Sequence, residues 1–186
     1  MSLLDKIFKK EIKVEKSPED RLGRWIYSKI QEWETSPESG LSLHSIIGTY
    51  REKGGNPDDL KQTSYLELLI FYLFCATKSV SNANPSDKYQ AIFGGMRASF
   101  REHIQAMQIP KHLGIQEKEI FKTLDQRFDE YEKLYKDDMP SEKWIKLGMG
   151  AWNNLKGSGK SLSGMDHMMT VNADVIITFV SGLFKK

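Results

Sequence analysis

The chain has 186 residues, 39% hydrophobic and 28% charged, with a formal net charge of +2 at neutral pH. That length suits a single domain burying roughly 70% of the surface its unfolded form exposes, and that composition is too apolar for disorder. So small a net charge lacks the positive field of a nucleic-acid binder, and no nucleic-acid partner is expected.

The charge is unevenly spread. Residues 1–16 hold five lysines against three acids, residues 141–186 six against three, and the middle is net acidic. The one cysteine, Cys75, leaves no partner for an internal disulfide and fits a reducing, cytoplasmic setting. The apolar run at the N-terminus is interrupted by Asp5 and Lys6 and is too short for a secretory signal. The longest apolar run, Leu68 to Ala76, has nine residues, about half of the ~20 that a membrane span needs.

In chain order, residues 1–16 read as a basic amphipathic segment. Leu3, Leu4, Ile7 and Phe8 fall on one side of a helical projection and Lys6, Lys9, Lys10 and Lys13 on the other. Residues 17–186 read as one helical domain. Ser17-Pro-Glu-Asp, Ser36-Pro-Glu-Ser, Asn56-Pro-Asp-Asp and Asn84-Pro-Ser-Asp share a helix-start pattern, with a further start at Ser141. In that pattern a side chain accepts from the free first-turn amides, proline takes the position where its missing N–H is harmless, and acids favour the positive dipole end. The Ser36 case is the weakest, because Gly40 follows before a helix from Ser42.

Between these starts the apolar residues recur every 3.6 positions. Leu22, Trp25, Ile26, Ile30 and Trp33 share one face; Leu43, Ile46, Ile47 and Tyr50 share the next, ended by Gly54-Gly55. Tyr65 to Cys75 is apolar nearly all round, the pattern of a central helix. Stripes then run from Tyr89 to Met107, from Ile120 to Tyr135 and from Trp144 to Trp152. The final segment, residues 171–184, is β-branched, but no other segment alternates with period two to pair with it, so helix is expected. A flexible Gly/Ser loop is expected at 156–164. The fold class is therefore all-α, a bundle-like array of six or seven helices.

No motif names a reaction. Gly157-Ser-Gly-Lys-Ser161 lacks the first glycine of a phosphate loop, Asn154 standing in its place, and follows a helix rather than a strand. The histidines His44, His103, His112 and His167 form no i,i+3 or i,i+4 pair, so neither a metal nor another cofactor is expected. Asp125, Asp129 and Glu132 read as a solvated helix face neutralised by Lys133 and Lys136.

Three ionisable residues do fall on apolar faces: Glu67, His103 and Arg127. Each needs a partner or a route to water, and together they form a candidate polar site assembled between helices. Trp25 and Trp33, and Trp144 and Trp152, stand eight residues apart, so each pair shares a face. A pair left exposed is a candidate interaction surface. The sequence thus favours a non-catalytic helical protein that binds another protein. A ligand site or enzyme around the three ionisable residues is the alternative. A third reading is a peripheral protein resting on an anionic membrane through its basic ends. The oligomeric state is open.

Overall fold

The computed structural model describes residues 17–84, 86–135, 140–157 and 162–185, with backbone alone at 86 and 140–144. The basic segment at 1–16 lies outside the described residues. Among those described there are eight α-helices and no strand: α1 (Pro18–Thr35), α2 (Leu43–Glu52), α3 (Ser64–Ala83), α4 (Ser86–Ala106), α5 (Ile109–Leu113), α6 (Glu117–Tyr135), α7 (Pro140–Leu155) and α8 (Met165–Gly182). The count exceeds the expected six or seven because of α5, one short turn between two left-handed residues that carries no periodic signal of its own.

The helix-start pattern acts unevenly. Ser17 accepts from the Asp20 amide at 3.1 Å and opens α1. Asn56 accepts from Asp58 at 3.2 Å but opens only the 3₁₀ turn Pro57–Asp59, and Ser36-Pro opens a turn, not a helix. α2 starts instead at Ser42, which accepts from the Ser45 amide at 3.1 Å. α7 begins at Pro140, one residue before the expected Ser141.

The final segment is helical and starts at Met165, six residues before the expected Val171. Met165 and Met169 are buried and extend the row of Asn172, Ala173, Ile176 and Val180 by two turns. Of the expected loop at 156–164, the described beginning is tied down. The Gly157 amide donates to the Asp59 carbonyl at 2.9 Å, and Lys61 donates to the Leu155 carbonyl at 3.1 Å. Residues 158–161 lie outside the described residues.

α3 is the axis of the array. Leu66 to Ala76 is buried without interruption, because α1, α4, α6, α7 and α8 all pack around it. Each of its large apolar side chains contributes roughly 1.5–3 kcal/mol by leaving water. One polar group ties it to its neighbours: the Tyr72 hydroxyl donates to the Leu41 carbonyl at 2.7 Å and accepts from Asn172 Nδ2 at 2.9 Å, joining α3 to α8.

α1 crosses α4 at close range. Gly23 of α1 faces the backbone of Ile92 and Met96, and Gly95 of α4 faces the Asp20 carbonyl; a methyl at either position would overlap that backbone. This crossing rotates α1 from its expected orientation. The buried face is Gly23, Ile26, Tyr27, Ile30 and Glu34, so Trp25 turns outward and Trp33 lies at the edge.

Candidate functional site

Glu67 of α3 and Arg127 of α6 meet in a two-pronged ion pair, with Nε donating to one carboxylate oxygen at 2.7 Å and Nη2 to the other at 2.8 Å. Arg127 also donates to Glu130 at 2.9 Å, and Glu130 accepts from Asn154 of α7 at 3.1 Å. The hydrogen bonds it donates to Glu67, against the opposing effect of burial, hold the Arg127 guanidinium even more firmly protonated than usual.

His103 has other partners. Its Nδ1 lies 3.0 Å from the Tyr27 hydroxyl and its Nε2 3.3 Å from the Tyr65 hydroxyl; Tyr65 in turn donates to Glu34 at 2.9 Å. The structure therefore joins Glu67 to Arg127 and places His103 in a second chain, Tyr27–His103–Tyr65–Glu34, drawn from α1, α3 and α4. Sequence reasoning passed over Tyr27, Glu34 and Tyr65. The signal for Glu34 was present, since it stands four residues after Ile30 on the buried face.

With Glu34 ionised, every bond in the chain points one way. Tyr27 donates to Nδ1, Nε2–H donates to Tyr65, and Tyr65 donates to Glu34. Burial lowers the His103 pKa, so the ring is neutral at pH 7. Burial also raises that of Glu34, opposed by hydrogen bonds from Tyr65 and the Leu43 amide, and burial raises both tyrosines.

These shifts have a sign that can be tested. A histidine whose folded pKa lies below its unfolded value of about 6.5 binds fewer protons when folded, so its stabilising effect is present above that pH and lost as pH falls below it. Glu34 acts oppositely: its folded pKa lies above the unfolded value of about 4.3, so it stabilises in acid and that contribution is lost as pH rises. His103→Gln removes only the first effect. Urea unfolding should show the wild type losing stability relative to the variant between about pH 7.5 and about pH 5.5, near the histidine range. Parallel curves would contradict it.

The tryptophans separate. Trp152 of α7 is buried, its ring 5.3 Å from Tyr50, so it belongs to the core and not to a surface. The Trp144 side chain lies outside the described residues. Trp25 is 42% exposed, and its ring centroid lies 5.8 Å from Phe179 of α8; Trp33 meets the same ring edge-on at 4.8 Å. Val171 and Val175 repeat the Phe179 position every four residues along α8, Leu183 continues the spacing just past its end, and all three are exposed. An aromatic seam thus joins α1 to α8, open to solvent on its outer side.

Three cavities adjoin these groups. One of about 650 Å³ lies between α6 and α7 and includes Glu130. One of about 250 Å³ on α1 and α4 includes Tyr27 and His103. One of about 240 Å³ on α3 and α5 includes Tyr65. None of these three is lined by two of Glu67, His103 and Arg127. Among the described residues no group of three or more His, Cys, Asp or Glu is placed to hold a metal ion, and no helix is long and apolar enough to cross a membrane. Cys75 is buried, and burial pushes its thiol pKa far up, so it is not a ready nucleophile. Comparison with protein-family models, curated proteins and solved structures finds no match to this chain.

Proposed function

We propose that this is a non-catalytic interaction protein that receives an amphipathic helix of another protein along the seam between α1 and α8. The carrying observation is Trp25, a large apolar ring left 42% exposed beside Phe179 although its helix has a well-buried face. Tryptophan in such a position is the residue type that most often dominates binding energy at interfaces. Val171 and Val175 on α8, with Leu183 just past its end, extend the apolar surface, which suits a partner helix presenting anchors at i, i+4 and i+7. The ionisable groups support the same reading: Glu67 and Arg127 neutralise each other, and both His103 nitrogens are engaged by tyrosines.

A photo-crosslinking amino acid placed at Val175, in cells of the native host, tests this. The expected result is one discrete adduct with a different protein, lost on Trp25→Asp and absent when the crosslinker stands at the exposed Lys118. An adduct of twice the chain's own mass would replace the reading with self-association. No adduct, or the same adduct from both positions, would reject it.

A further inference from the structure

We propose that the cavity between α3 and α5 binds a small uncharged molecule whose apolar body carries one hydrogen-bond donor, accepted by Tyr65. The site is separate from the α1/α8 seam and does not rest on it.

The walls define the body of the ligand. Leu66 and Ile109 are buried and form the floor, Leu113 and Met107 stand at the sides, and the exposed Gln62 and His112 mark the mouth. Acid, lysine and arginine side chains are missing from this lining, so a charged ligand would lose its hydration without compensation. An apolar cavity of roughly 150 Å³ holds a benzene ring, so about 240 Å³ takes a bicyclic aromatic or a short branched chain.

Proton accounting at Tyr65 defines the polar group. The phenol has one proton and two lone pairs. When Glu34 is ionised, Tyr65 donates to it at 2.9 Å and accepts from His103 at 3.3 Å. In that arrangement the single proton is committed inside the chain and one lone pair remains. A ligand can therefore only donate to this hydroxyl.

The backbone at the end of α4 shapes this wall. Gln108 has φ 49° and ψ 31°, the left-handed region that a side chain disfavours by about 1 kcal/mol or more. This residue separates α4 from α5, and its two neighbours, Met107 and Ile109, both line the cavity. Met107 is left 49% exposed there, a flexible side chain suited to closing over an apolar guest.

Indole and 1-methylindole, which differ in having or lacking the N–H donor, are the probes. With the whole chain labelled at its Met, Ile and Leu methyl groups, indole should give saturable shifts at Met107, Ile109 and Leu113, while Ile176 in the distant α8 stays unmoved. 1-Methylindole should bind about fivefold more weakly, the scale of one hydrogen bond. Tyr65→Phe should equalise the two affinities, and Leu113→Trp, which fills the cavity, should abolish both. The wild-type comparison stands even if a variant fails to fold. Absence of saturable shifts, equal affinities in the wild type, or a preference for indole that survives in Tyr65→Phe would overturn the proposal.

Discussion

Alanine at Gly95 should destabilise the protein by about 2–4 kcal/mol, while alanine at the adjacent Gly94 should stabilise it by up to about 1 kcal/mol. Both lie inside α4, so both gain the same helix propensity from a methyl group. Their surroundings decide the sign. A methyl at Gly94 meets open space, whereas one at Gly95 overlaps the Asp20 carbonyl of α1. Backbone cannot swing aside as the end of a side chain can, so α1 must move as a body. That displacement would loosen Ile26 and Ile30 and stretch the Tyr27–His103 bond across the same crossing. Gly23→Ala should act like Gly95→Ala, since it meets Ile92 and Met96 from the other side. Urea unfolding and calorimetry provide the check. For a chain of this size ~1 kcal/mol moves the melting point by roughly 2–4 °C, so the neighbouring variants should melt on opposite sides of the wild type. A Gly95→Ala protein as stable as the Gly94→Ala one would mean that the two helices pack further apart.

That crossing also explains where the sequence was legible and where it was not. Helical periodicity identified the long elements, and the all-round apolar run identified α3 as the axis, because both depend on residues within one helix. Which way α1 faces depends on Gly23, whose role comes from a partner helix far along the chain. The apolar stripe therefore included Trp25 and omitted Glu34, whereas the fold exposes the first and buries the second. The same limit applies to the ionisable residues. Spacing showed that Glu67, His103 and Arg127 each sit on an apolar face, but pairing is decided by which faces meet. α3 turns Glu67 toward α6 and Tyr65 toward α1 and α4, so residues two apart in sequence serve different networks. The extension of α8 back to Met165 was missed for another reason: the N-cap position is Gly164, with φ 89°, so no side chain caps the helix and no proline follows to mark its start.

Arg127→Ala should cost about 3–5 kcal/mol, and Glu67→Gln combined with it should recover much of that loss. The Glu67 side chain is only 5% exposed and Arg127 24%, so this is a pair largely withdrawn from water rather than a surface bridge worth about 1 kcal/mol or less. Removing the guanidinium leaves the Glu67 carboxylate buried with both oxygens unmatched, and Glu130 keeps only Asn154 among its side-chain partners here. Most of the cost is thus the stranded charge and not the lost attraction. The neutral amide introduced by Glu67→Gln carries no such charge, hence the recovery in the double variant. Replacing both residues with leucine extends the logic. If the pair mainly satisfies itself, Glu67→Leu with Arg127→Leu should lie within about 2 kcal/mol of the wild type, because burying two apolar side chains offsets the lost bonds. A double-mutant cycle by urea unfolding measures the coupling directly. A loss near zero for Arg127→Ala alone would show that water reaches Glu67 freely, and the pair would then contribute no more than an exposed one.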